Sequence, residues 1–136
     1  MKVETEITIE RSIADVWHAL ATQFTDAQSW MSPVRRSYAL SGKLVANAPV
    51  AGRTCELSDK GADGLIAHET ITLFDAQNQR LAIEIVPANT PPGFPVRKNV
   101  AIYQLTALGS NRTHLSFNSE VETNTLGTVI SPLLKV

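Results

Sequence analysis

Residues 3–20 constrain the fold most, because a strand pattern passes without a linker into a helix pattern. Ile7 and Ile9 alternate with charged or hydroxyl residues, and this period of two predicts a strand with one solvent-facing side. Ser12 follows at the position of a helix N-cap. The apolar residues around the next turns recur at the spacing of one helix face: Ile13, Val16, Trp17 and Leu20. The segment therefore predicts a strand that leads directly into an amphipathic helix.

The middle of the chain is predicted to form antiparallel strands joined by turns. A short helix capped by Thr25 ends before Pro33, since the residue before a proline disfavours the helical region. Residues 43–53 are predicted to form a loop, and the possibility that strand flanks it stays open. Residues 87–95 are also a predicted loop, because proline cannot donate to a strand ladder. Alternation and turn residues predict six further strands at 34–41, 54–59, 65–74, 79–86, 96–108 and 112–123.

Residues 124–136 predict a short apolar helix, because five aliphatic side chains fall on one helical face. Pro132 interrupts that helix or begins a second segment capped by Ser131. The chain stops barely a turn later at Val136. We therefore expect the C-terminal helix to be incomplete, as in a polypeptide that continues further, or to end in disorder.

Composition narrows the class of protein. A chain of 136 residues suits one domain, and we expect residues 1–136 to form it. The net charge is −1 and no cluster of Lys or Arg stands out, which argues against a duplex nucleic-acid binder. A single cysteine, Cys55, favours a reducing compartment. We expect a cytoplasmic protein, since neither a secretory leader nor a membrane-length apolar run is present.

The sequence offers little for metals or cofactors. His68 and Glu69 open like a zinc-protease motif, but Thr72 stands where the second histidine belongs. His18 and His114 lie far apart in the sequence, so surface or core histidines are the better interpretation. No glycine-rich phosphate-binding motif and no nucleophile elbow occurs. We expect neither a metal nor a cofactor.

The order of elements resembles the helix-grip fold of the START/Bet v 1-like (SRPBCC) superfamily. The resemblance spans nearly the whole chain and rests on residues 9–17 (IERSIADVW), Trp30 with Pro33, residues 69–75 (ETITLFD) and residues 131–134 (SPLL). Among its members the chain is most similar to small bacterial proteins of the polyketide cyclase/dehydrase type. The resemblance implies an α+β fold, in which about seven curved antiparallel strands and a C-terminal helix enclose a cavity for a largely apolar ligand.

Glu69 is the polar residue that stands out on the predicted inner face. Alternation in residues 65–74 places it beside Ala67 and Ile71, facing inward with Leu73. A buried carboxylate costs several kcal/mol unless it is paired, and Arg35 is its predicted partner. Two interpretations stay open: a charged pair that orients a polar ligand group, or an Arg35 at the rim while Glu69 pairs elsewhere or faces water.

Further ligand contacts are predicted by position on the inner face. The long hairpin formed by residues 96–108 and 112–123 contributes Asn99 and Tyr103 from one strand. Asn118 is predicted from the other strand, although Leu115 and Phe117 make the reverse face assignment possible. The complete set of predicted ligand-binding residues is Arg35, Glu69, Ile71, Ile83, Asn99, Tyr103, Asn118 and Trp30. No catalytic residue is assigned.

Three functions compete at this stage. The first is binding or transport of a small hydrophobic ligand that resembles a lipid, a polyketide or an aromatic compound. The second is a polyketide cyclase or dehydratase, in which Glu69 or Glu120 acts as acid or base and Arg35 or Tyr103 holds an oxyanion. The third is a protein-interaction module of the co-chaperone kind. The sequence leaves open whether the protein forms homodimers.

Overall fold

The computed structural model describes residues 1–124 and confirms the strand-to-helix transition near the N-terminus. Strand β1 spans Lys2–Ile9, and helix α1 spans Ile13–Trp17. Ser12 caps α1, because its Oγ accepts a hydrogen bond of 3.2 Å from the amide of Asp15. A π-helical turn over His18–Thr22 extends α1. The terminal helix is predicted over residues 124–136, and all of them except Asn124 lie outside the described part of the chain.

The other strands form one long meander. Hydrogen bonding orders the sheet as β1-β7-β6-β5-β4-β3-β2, and all six neighbouring pairs are antiparallel. Short 3₁₀ helices cover Ala27–Ser29 and Gly61–Asp63. The predicted α+β class with seven antiparallel strands is confirmed. The strands after β1 are β2 Arg36–Leu40, β3 Gly52–Glu56, β4 Ile66–Asp75, β5 Arg80–Ala88, β6 Val96–Gly109 and β7 Arg112–Thr123.

Strand register defines the two faces of the sheet, because directly paired residues point to the same side. Ile71, Ile83 and Ala101 are paired in one row across β4, β5 and β6. All three are buried and belong to the main core. We call this side the inner face. Residues 13–31, which we call the helical segment, cover this face. Their buried side chains are Trp17, Leu20, Ala21 and Phe24.

A bulge in β4 changes which residues face inward. The pairing register between β4 and β5 shifts between Ile71 and Leu73. The prediction that Leu73 faces inward is therefore wrong, and 41% of that residue is exposed. Phe74 takes the inner position, where its ring lies 5.3 Å from the ring of Trp17. The extra residue at the bulge reverses which side chains face inward along the rest of β4. Strict alternation of inward and outward side chains therefore does not hold beyond Ile71.

Two further predictions are wrong: that the loop begins at Pro87, and that Thr25 caps the short helix before Pro33. Pro87 belongs to β5, where it is paired with Ala67 of β4. The strand tolerates proline there because the ladder between β5 and β6 extends only to Ile85. Thr25 does not cap the second short helix. Instead, Ser37 Oγ accepts hydrogen bonds from the amides of Ala27 and Gln28 at 3.0 and 3.2 Å.

The close approach of β3 to β4 at Gly52 generates a stability prediction. A Cβ atom on Gly52 would overlap the carbonyl oxygen of Glu69 and lie 3.1 Å from Thr70 Cα. We expect Gly52→Ala to lower the free energy of unfolding by about 1–3 kcal/mol, because backbone must move to make room. Urea unfolding monitored by circular dichroism measures the change.

Gly109→Ala is the matched control for this substitution, since within residues 1–124 the added Cβ has no atom within 4 Å apart from those of Gly109 and its two chain neighbours. We expect it to change stability by less than about 0.5 kcal/mol. Equal effects of the two substitutions would contradict the close-approach explanation.

Candidate functional site

A buried ion pair between Arg53 and Glu69 lies on the inner face. These residues are directly paired across β3 and β4. Arg53 Nε and Nη2 donate hydrogen bonds of 3.1 and 2.8 Å, and both bonds end on Glu69 Oε1. Both residues are buried, with exposed fractions of 2% and 5%. The predicted partner was Arg35, which instead lies at the rim and pairs with Asp59 at 3.7 Å.

Arg53 also contacts the C-terminal part of the helical segment, residues 24–31, and holds it against the sheet. Its Nη1 donates a 2.8 Å hydrogen bond to the carbonyl oxygen of Phe24. The guanidinium carbon lies 4.0 Å from the centre of the Phe24 ring, a cation–π arrangement. Nη2 lies 3.8 Å from Met31 Sδ. These contacts hold residues 24–31 against the sheet at both ends, at Phe24 and at Met31. Every guanidinium nitrogen of Arg53 has a partner in this segment or on Glu69.

The role of Arg53 was missed because residues 43–53 predict a loop. Gly52 and Arg53 begin β3, and the small residues before them hide its start. One signal was available: the glycine-rich turn at residues 60–64 implies that β3 and β4 form a hairpin. Counting back from that turn places Cys55 close to opposite Glu69, and Arg53 shares the face of Cys55. The sequence therefore indicates the strand and the face, but not the register.

The negative charge of Glu69 affects two weakly acidic groups, Cys55 and Tyr103. Burial, together with a smaller contribution from the nearby carboxylate of Glu69, raises the pKa of the Cys55 thiol to about 12. Burial likewise raises the pKa of Tyr103 to about 12, again with a smaller contribution from Glu69. Both groups therefore stay protonated at neutral pH. A thiol in this state is a poor nucleophile.

Asn99 has an unsatisfied polar atom on the inner face. It is paired with Ile85 of β5, which is paired in turn with Glu69 of β4. Asn99 Oδ1 is buried and accepts no hydrogen bond from residues 1–124. Buried polar atoms normally have a partner, so this oxygen calls for a donor such as a water molecule or a ligand hydroxyl.

Asn118 does not line the inner face. It is paired with Ile102 on the outer face, whereas Phe117 is paired with Tyr103 on the inner one. The rings of Phe117 and Tyr103 lie 4.9 Å apart. The inward placement of Asn118 is therefore wrong, and the reverse assignment that Phe117 indicated is correct. Glu120 is also outward, because it lies two residues beyond Asn118.

A groove of about 440 Å³ opens between the helical segment and the β1–β7 end of the sheet. We call it the helix–sheet groove. Most of its lining is apolar, and charged or titratable side chains contribute only part of its wall. Leu20 and Leu115 connect the groove to the main core. Its lining residues are Ile9, Arg11, Asp15, Val16, His18, Ala19, Leu20, Trp30 and Leu115.

The remaining predicted ligand contacts fall into two groups. Trp30 lines the helix–sheet groove and is 45% exposed. Ile71 and Ile83 are fully packed in the core, with exposed fractions of 1% and 0%. Tyr103 is buried beside them on the inner face. Trp30 therefore faces the helix–sheet groove, whereas Ile71 and Ile83 belong to the packed interior beneath the helices.

Two absences concern residues 1–124 alone. That part of the chain contains no group of three or more His, Cys, Asp or Glu side chains arranged to hold a metal ion. None of its helices combines the length and hydropathy that a membrane crossing requires.

Comparison with known proteins identifies related sequences and folds. A family model described as "Polyketide cyclase / dehydrase and lipid transport" matches residues 1–135. A search of the curated proteins finds no match. A START superfamily protein from Mycobacterium smegmatis has a TM-score of 0.69 at 10% identity, with 98% of this chain and 88% of that chain covered.

Two other solved structures have the same fold. The Zhui aromatase/cyclase from Streptomyces sp. R1128 gives a TM-score of 0.67 at 17% identity, with 96% of this chain and 72% of that chain covered. A protein from Nitrosospira multiformis gives 0.64 at 17% identity, with coverage of 98% and 91%. Identities this low establish the fold alone.

The buried ion pair generates a second stability prediction. Arg53→Met leaves Glu69 buried without its partner, so we expect the free energy of unfolding to fall by about 3–5 kcal/mol. The double variant Arg53→Met/Glu69→Leu should recover much of this loss, because no buried charge remains. Urea unfolding of both variants measures the difference.

The control for the ion-pair prediction is Arg97→Gln, which breaks an exposed 3.5 Å pair with Glu122. An exposed pair contributes at most about 1 kcal/mol. A loss in Arg53→Met no larger than that in Arg97→Gln would show that the buried pair does not stabilise the fold.

The raised pKa of Cys55 predicts how stability changes at alkaline pH. The thiol ionises near its ordinary pKa of 9.0 in the unfolded chain but near 12 in the folded one. The unfolded chain therefore loses its proton first, so the contribution is complete below pH 9 and is lost as the pH rises toward 12. We expect the melting temperature of wild type to fall more steeply above pH 9 than that of Cys55→Ala. Parallel pH profiles would contradict this.

Proposed function

Because the chain belongs to the polyketide cyclase / dehydrase and lipid transport family, we propose that it binds a small hydrophobic molecule in the helix–sheet groove. The expected ligand class is lipid-like, polyketide-like or aromatic. The groove volume of about 440 Å³ supports this proposal, since ligand pockets commonly measure about 300–1,000 Å³. The predominantly apolar lining is the single observation that carries the proposal.

Trp30 is the residue on which we base the contact with the ligand. Nearly half of its surface is exposed, although a tryptophan gains most from burial of its large ring. Arg53 contacts the neighbouring Met31 and so restrains the segment that carries Trp30. Holding this segment in place lowers the cost of ordering the groove when an apolar molecule binds.

Asn99 and Tyr103 lie outside the groove lining, and they are the polar groups for a ligand that extends from the groove along the inner face. The unsatisfied oxygen of Asn99 would accept a hydrogen bond from a ligand hydroxyl that reached the inner face. Tyr103 stays protonated and could donate to a ligand carbonyl. Native mass spectrometry of protein purified from its own host would identify a bound molecule directly.

A cyclase or dehydratase activity is the second candidate, and one observation favours it. Glu69 is a buried carboxylate, and neither of its hydrogen bonds from Arg53 uses Oε2. That oxygen would be the proton acceptor, with Tyr103 as donor to a developing oxyanion. Turnover of a candidate polyketide substrate that persists unchanged in Glu69→Gln would exclude this role for Glu69.

The binding proposal predicts that Trp30→Ala weakens the affinity for an apolar probe such as decanol. We expect about a tenfold higher Kd, which corresponds to about 1.4 kcal/mol, because the aromatic wall of the groove is lost. Isothermal titration calorimetry, carried out below the solubility limit of the probe, measures the change.

Leu108→Ala is the matched control for the Trp30 substitution. Leu108 is 54% exposed and does not line the groove. We expect its Kd for decanol to equal that of wild type. Similar losses in both variants would indicate adsorption to exposed apolar surface instead of binding in the groove.

A further inference from the structure

Arg11 is a cation on the rim of the helix–sheet groove whose guanidinium forms no ion pair within residues 1–124. Glu10 pairs with Arg112 at 3.2 Å. Asp15 also lines the groove, but its carboxylate forms no ion pair with Arg11. The side chain of Arg11 is therefore available to an external anion.

The backbone of Arg11 is held firmly although its side chain is exposed. Its carbonyl oxygen accepts a 2.8 Å hydrogen bond from Thr113 Oγ1, and Thr113 is completely buried. Ser12, the next residue, caps α1. Arg11 therefore projects from a fixed point between β1 and α1, at the border of an apolar surface that includes Ile9.

Charged groups of both signs line the groove, so selection of an anionic ligand depends on the geometry of Arg11 and not on net charge. Arg11 and His18 are the basic side chains of the lining, and Asp15 is the acidic one. A guanidinium binds a carboxylate through two parallel hydrogen bonds, which makes arginine well suited to this group. Asp15 would repel the same carboxylate, so the anion must lie nearer to Arg11 than to Asp15.

We propose that the ligand of the helix–sheet groove is an amphiphile with a terminal carboxylate, which pairs with Arg11 while its apolar part lies against Trp30. This inference rests on the proposed binding function and adds the chemical class of the ligand. The apolar lining accounts for the ligand tail, and the unpaired arginine at its border accounts for the head group.

Two probes of equal chain length test the inference: decanoate and decanol. Titration calorimetry at low, constant ionic strength compares their affinities, since salt screens exposed charges. We expect wild type to bind decanoate about tenfold more tightly than decanol. Arg11→Gln should remove this preference by weakening the binding of decanoate, and a circular dichroism spectrum equal to that of wild type demonstrates that the variant is folded.

Arg97→Gln is the charge-matched control, because Arg97 is exposed and lies outside the groove. We expect it to retain the preference for decanoate. Loss of the preference in both arginine variants would attribute it to overall charge and overturn the assignment to Arg11.

The outcomes separate this inference from the function on which it rests. Equal affinities of wild type for decanoate and decanol would overturn the carboxylate assignment and leave the apolar groove as a binding site. Undetectable binding of both probes would overturn both proposals. Tight decanoate binding that Arg11→Gln does not weaken would place the anion at another cation and overturn the role of Arg11.

Discussion

The contact on which the architecture depends is the buried ion pair between Arg53 and Glu69. Removing two charges from water is costly, and the loss is offset only when the geometry is good and the charged groups keep further hydrogen-bond partners. Arg53 meets this condition through Glu69, the carbonyl of Phe24 and the sulfur of Met31. The pair therefore joins β3, β4 and the helical segment at one point, and the position of Trp30 follows from it.

The inner face divides into a filled part and an open part. Trp17, Phe24 and Phe74 fill the space over the central strands together with the aliphatic core. Toward β1 and β7 the packing becomes incomplete, and Ile7 is 48% exposed on that side. The helix–sheet groove occupies this margin, so the open apolar surface of the inner face lies between the helical segment and the β1–β7 end of the sheet.

Much of the fold could be predicted from sequence, because alternation and turn residues are local signals. The long hairpin, the seven strands and the Ser12 cap all follow from such signals. The site could be predicted only in part. Burial of Glu69 follows from its apolar neighbours, but its partner depends on the register between β3 and β4. Register arises from packing across the whole sheet, and the composition of residues 43–53 does not reveal it.

The bulge after Ile71 has a consequence for redesign of the interior. Up to that residue the inward positions of β4 carry odd numbers, as at Ala67 and Glu69; beyond it Phe74 carries an even one. A mutant library that followed odd numbers along the whole strand would randomise solvent-exposed Leu73 and leave the aromatic contact with Trp17 untouched. Libraries meant to reshape the inner face must therefore randomise odd-numbered residues of β4 up to Ile71 and the even-numbered Phe74 beyond it.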